Sequence, residues 1–94
     1  MQITEKMTLE QLFDRVPGLK DALLEHEGED GTSFSLEGVG KVDVYEEEDD
    51  EGARTLLTRY DTELTDARGR KLTFEYWPGE GLMLKGRTSG INWL

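Results

Sequence analysis

The sequence predicts an α+β domain in which two short N-terminal helices pack on a four- to five-stranded antiparallel meander. Three observations carry this. Apolar residues recur at helical spacing across residues 8–26. From Thr32 onward the apolar period drops to two. Short Asp/Gly and Pro/Gly segments then separate the later runs at hairpin distance.

The helical part comes first. Thr8 and Gln11 have the spacing of a capping box, in which Thr8 accepts from a first-turn amide and Gln11 reaches back. Leu9, Leu12 and Phe13 fall at i, i+3 and i+4 and form one apolar stripe. Pro17 disfavours helix at Val16 and breaks the pattern, and it suits the first turn of a second helix. Leu19, Leu23 and either Ala22 or Leu24 supply that helix's inner face. Gly28 is the expected stop, although Glu25 and Glu27 oppose the dipole at that end. The expected helices are 8–15 and 17–26.

The strands follow. Phe34 and Leu36 alternate with Ser33 and Ser35, and Val42 and Val44 with Lys41 and Asp43. Leu56, Thr58 and Tyr60 alternate with Leu57, Arg59 and Asp61, and Leu72, Phe74 and Tyr76 with Lys71, Thr73 and Glu75, while Leu82 and Leu84 flank Met83. Asp66-Ala67-Arg68-Gly69 places Asp at the start of a type I turn and Gly where φ must be positive. That predicts a hairpin between about 54–65 and 70–77. Pro78-Gly79-Glu80-Gly81 predicts the next tight turn, into 82–87. Ile91, Trp93 and Leu94 are expected to close the core rather than form an exposed docking tail.

Ninety-four residues allow one domain, 1–94, with its helical part at about 8–26, its strand part at about 32–94 and an acidic loop at 46–52. No cysteine is present, which excludes disulfides, thiolate metal sites and thiol chemistry. No purely apolar run exceeds three residues, too few to span a bilayer. Met1-Gln2-Ile3-Thr4-Glu5-Lys6 lacks the apolar stretch of a signal peptide. A cytoplasmic location is therefore expected.

Ile3-Thr4, Met7-Thr8-Leu9, Leu12, Pro17 and Leu23-Leu24-Glu25-His26 together resemble a small bacterial helical domain of unknown function and the related N-terminal domain of iron–sulfur repair proteins. The resemblance covers residues 3–26. It implies a compact helical pair used for packing or partner contact. In that family the helices lead into a Cys-containing segment; here the matching stretch is Glu27-Gly28-Glu29-Asp30-Gly31, so the redox or iron-binding role does not carry over.

The formal net charge is −10, and it is split unevenly: residues 1–52 carry −12 and residues 53–94 carry +2. Its centre is Glu46-Glu47-Glu48-Asp49-Asp50-Glu51, six like charges that repel one another and predict a solvated loop. Such a loop either keeps the chain in solution or steers a basic partner toward it. Glu25, Glu27, Glu29 and Asp30 add to the same sign.

The residues for catalysis are missing. His26 is the single histidine, and a zinc site needs three or four convergent ligands. Neither a nucleophile-elbow motif nor a Ser-x-x-Lys motif occurs. Paired carboxylates for acid/base work need burial, for which an exposed acidic run is a poor host. Residues 46–51 lack the alternating ligands and mid-loop Gly of an EF-hand loop. Gly38-Val39-Gly40 and Gly79-Glu80-Gly81 lack phosphate-loop spacing and are expected to be turns or bulges. Arg54, Arg59, Arg68, Arg70, Lys71, Lys85 and Arg87 interleave with Tyr60, Tyr76 and Trp77, a pattern that suits single-stranded nucleic acid, but the net charge repels phosphate.

The expectation is therefore a small acidic, non-enzymatic protein-interaction protein without cofactor or metal. It would present Glu46, Glu47, Glu48, Asp49, Asp50, Glu51, Glu29 and Asp30 to a basic surface, such as that of a nucleic-acid-binding protein, by charge mimicry. In composition and size it resembles small phage-encoded inhibitors. No direct nucleic-acid or membrane contact is expected. The alternative is a regulatory or accessory module of bacterial metabolism that binds its partner through the helical pair. Exposed strand edges favour a dimer and net acidity opposes one.

Overall fold

The computed structural model describes residues 2–3, 9–48, 56–66 and 69–84. Two helices, α1 (Leu9–Arg15) and α2 (Leu19–Glu25), follow a two-residue strand β1 (Gln2–Ile3). Strands β2 (Thr32–Leu36), β3 (Gly40–Glu48), β4 (Leu56–Asp66), β5 (Lys71–Trp77) and β6 (Gly81–Leu84) then lie side by side in chain order, all antiparallel. This is the α+β meander read from the sequence. The addition is β1, which pairs parallel to the end of β4, Gln2 with Thr65 and Ile3 with Asp66. Thr65 also pairs with Lys71 of β5, so β1 occupies the edge of β4 that β3 leaves beyond Asp61.

The helices start and stop where the backbone is punctuated. Helix α1 ends at Arg15, and the Val16 N–H still reaches the Leu12 carbonyl at 3.0 Å. Pro17 does not open α2, as the sequence suggested. Gly18 is the N-cap, at φ 88°, a left-handed value that L residues avoid, so the helix begins at Leu19. Helix α2 stops at Glu25, and Gly28 adopts positive φ three residues later. The proposed capping residue Thr8 lies outside the described residues, as do Ile91, Trp93 and Leu94.

The core forms between the helices and one sheet face. Leu9, Leu12, Val16, Leu19 and Leu23 meet Val42, Val44, Tyr60, Leu64, Leu72, Phe74, Leu82 and Leu84. Each such side chain contributes about 1.5–3 kcal/mol on burial. Phe13 stacks on Phe74 with ring centroids 6.3 Å apart. The Tyr60 hydroxyl, at the centre of the sheet, donates to the Leu23 carbonyl at 2.6 Å and ties α2 to β4. Leu24 is 40% exposed, so Ala22 rather than Leu24 turns inward.

Two strand expectations need correction. The inward residues of β4 are Thr58, Tyr60, Thr62 and Leu64, but Leu56 is exposed and Leu57 is buried on the opposite face. The acidic loop expected at 46–52 is in part strand: Glu46, Glu47 and Glu48 pair with Thr58, Leu57 and Leu56. Asp49, Asp50 and Glu51 lie outside the described residues. The tight turn at 78–80 is as expected. Pro78 takes its second position, Gly79 its third at φ 84°, and the Glu80 N–H closes on the Trp77 carbonyl at 2.9 Å.

Candidate functional site: an acidic surface beside the second helix

The segment from His26 to Gly31 leaves α2 and enters β2. Six contacts fix it. The His26 ring stacks on Phe34, centroids 4.3 Å apart and planes 7° from parallel. His26 Nδ1 lies 2.9 Å from Glu29 Oε1, and the Thr32 hydroxyl donates to the same oxygen at 2.7 Å. The Gly28 N–H donates to Thr58 Oγ1 at 2.9 Å. The Gly31 N–H donates to the Val44 carbonyl at 2.9 Å. Finally, Asp30 Oδ1 accepts from the Glu46 N–H at 3.1 Å. His26 is thus a packing and hydrogen-bonding residue of the turn. The bonds from His26 and Thr32 hold the Glu29 carboxyl below the usual carboxylate range.

The result is that Glu29, Asp30 and Glu46 share one surface. Strand alternation then divides the acidic run. Glu46 and Glu48 fall in the phase of Val42 and Val44, toward the helices. Glu47 points the other way and meets Arg59 Nη1 at 3.2 Å. Glu46, Glu47 and Glu48 are therefore split between the two faces of the sheet.

That opposite face carries a lattice the sequence did not reveal. Arg59 Nε lies 3.3 Å from Asp61 Oδ1, and its guanidinium sits 5.4 Å from the centre of the Tyr45 ring. The Tyr45 hydroxyl donates to Asp61 Oδ2 at 2.8 Å, and the Thr73 hydroxyl donates to Asp61 Oδ1 at 3.0 Å. Burial would raise the Asp61 carboxyl, but the bonds from Tyr45 and Thr73 and the Arg59 charge bring it below the usual range. Burial, then the Asp61 bond and charge, push the Tyr45 phenol up to about 12. The signal for this lattice was the i, i+2 spacing of Tyr45 with Glu47 and of Arg59 with Asp61, but the register joining them is a tertiary property. The interleaved aromatics are divided: Tyr60 and Tyr76 face the helices, whereas Trp77 shares the other face with Arg59, and Arg54, Arg68, Lys85 and Arg87 lie outside the described residues.

Among the described residues, no group of three or more His, Asp or Glu side chains is placed to hold a metal ion. Among them, too, no helix is long and apolar enough to cross a membrane. Comparison with family models, curated proteins and solved structures finds no match.

Proposed function

We propose that this chain is a small acidic, non-enzymatic interaction protein that docks on a basic protein surface, such as the nucleic-acid channel of a partner, by charge mimicry in the manner of a phage-type inhibitor. The observation that supports this is the Asp30–Glu46 contact, which joins acids 16 residues apart in sequence into one surface. Acids held at fixed spacing suit a complementary basic face better than acids on independent tethers, because less ordering entropy is lost on docking. The excess of negative charge speeds encounter and makes affinity depend on salt.

A bacterial lysate passed over the immobilised chain at low and at high salt tests this. A parallel bait carries Glu46→Gln, Asp49→Asn, Asp50→Asn and Glu51→Gln. The proposal expects a nucleic-acid-binding protein held only by the native bait and released by salt. A partner retained by both baits at both salts contradicts it. That outcome favours an accessory module docking through the helical pair, for which the exposed Leu24 and the recess lined by Glu10, Phe13, Asp14 and Lys20 are the supporting features.

A further inference from the structure

Among the described residues, β2 pairs with β3 alone, from Thr32 with Val44 to Leu36 with Gly40, and forms one edge of the sheet. Three bonds fix which of its backbone groups face outward. The Gly31 N–H donates to the Val44 carbonyl at 2.9 Å and the Glu46 N–H donates to Asp30, so Val44 and Glu46 turn their backbone groups toward β2. The Lys41 N–H instead donates to Glu63 of β4. Backbone direction alternates along a strand. Thr32, Phe34 and Leu36 therefore bond to β3, and the N–H and C=O groups of Ser33 and Ser35 point away from the sheet. Native edges are commonly blunted by charge or proline, and Thr32-Ser33-Phe34-Ser35-Leu36 contains neither. Both serines are exposed, whereas Phe34 and Leu36 are half-buried on the helical side.

We infer that the β2 edge takes up an extended, basic-ended segment of a partner protein as an added antiparallel strand. The residues around the edge set the chemistry of that segment. Residues 27–40 hold four acids, Glu27, Glu29, Asp30 and Glu37, and no Lys or Arg. Glu29 and Asp30 stand just before β2, and the exposed Glu37 stands just after it, so both ends of the strand are negative. Lys41, across from Ser35, already lies 3.7 Å from Asp43. Main-chain bonds to Ser33 and Ser35 supply affinity for any extended segment. Lysine or arginine at its ends, and apolar side chains beside Phe34 and Leu36, supply the choice of segment. A second copy of this chain fits less well. Antiparallel pairing of β2 with itself would set Glu29 and Asp30 of one copy beside Glu37 of the other, and like charges across strands repel. The inference rests on the acidic docking proposed above for the sign of the segment's charge; the outward backbone groups of Ser33 and Ser35 do not depend on it.

The test uses the isotope-labelled full chain and a synthetic peptide of alternating valine and threonine with two lysines at each end. The expected result is that the peptide shifts the amide resonances of residues 32–36 and gives backbone Overhauser contacts to Ser33 and Ser35. Threonines opposite the serines would carry the bonded amides. Methylating the threonine nitrogens should therefore weaken binding about tenfold or more, since two hydrogen bonds are lost. The same peptide ended by glutamates should lose the shifts. Absence of shifts with the lysine-ended peptide overturns the proposal. Shifts confined to the helices or to other strands, or equal affinity of the methylated peptide, overturn the added strand while leaving acidic docking standing. Equal shifts from the glutamate-ended peptide overturn the basic segment at this edge. Contacts between the β2 strands of labelled and unlabelled chains, seen without peptide, assign the edge to a second copy and also overturn the proposal.

Discussion

Asp30 and Glu46 are both acidic, yet the Asp30 carboxylate rests against the Glu46 backbone N–H at 3.1 Å. One main-chain donor therefore holds two like charges on one surface. The contact separates stability from charge. Asp30→Ala removes the acceptor and should cost about 0.5–1 kcal/mol in a urea titration. Asp30→Asn keeps an acceptor oxygen, so it should cost less while still removing one charge from the docking surface. Equal losses from both variants would show that the bond does not position the turn.

Tyr60→Phe tests the tie between α2 and the sheet. The hydroxyl is buried and donates to the Leu23 carbonyl at 2.6 Å. Removing it leaves a buried acceptor without that donor, at a cost of about 1–3 kcal/mol. The denaturation midpoint should fall with an unchanged slope. An unchanged midpoint would mean the carbonyl finds another donor.

Two glycines with positive φ should respond differently to alanine. Gly28, at φ 86°, has open space around a Cβ, so Gly28→Ala should cost only the left-handed strain, about 1–2 kcal/mol. Gly40, at φ 95°, would set its Cβ against the Glu63 carboxylate, which also accepts from the Lys41 N–H at 2.6 Å. Gly40→Ala should therefore cost more than Gly28→Ala, and adding Glu63→Ala should recover part of the difference. Equal costs at the two sites would contradict the close approach.

The outer lattice predicts a pH dependence at both ends. Asp61 titrates lower in the folded chain than the ordinary 3.8. The unfolded chain thus binds more protons there, and stability falls as the pH drops through 3.8 toward the depressed folded value. Asp61→Asn should flatten that acid limb. Tyr45 is raised from 10 to about 12, so its contribution is complete below pH 10 and lost as the pH climbs toward 12. Phenolate absorbance of the folded chain should show Tyr45 silent near pH 10. Ionisation of Tyr45 near 10, assigned by comparison with Tyr45→Phe, would contradict the buried bond to Asp61.

The sequence carried the meander well because Val42/Val44 and Leu72/Phe74 repeat at period two and Pro78-Gly79 marks its own turn. It misplaced what depends on neighbours in space. Mutual repulsion in the run from Glu46 to Glu51 argued for a loop, yet 46–48 are strand: alternation sends the Glu47 side chain to Arg59 on one face and that of Glu46 to the other, while the Glu46 N–H holds Asp30. The opening of α2 slipped by two residues because Pro17 alone was weighed and the left-handed Gly18 was not. Within the candidate site, sign and composition were legible in Glu29, Asp30 and Glu46. Their convergence was not, since only the register of β3 with the turn before β2 brings them together.

The most direct test of acidic docking is competition. The protein captured at low salt is bound to the native chain, and short duplex DNA is titrated in. Charge mimicry predicts that the duplex displaces the chain, and that both ligands weaken about 10³-fold or more between 50 and 200 mM salt if about six or more charges are neutralised. A complex that holds chain and duplex together, with an affinity for the chain unmoved by salt, would contradict it.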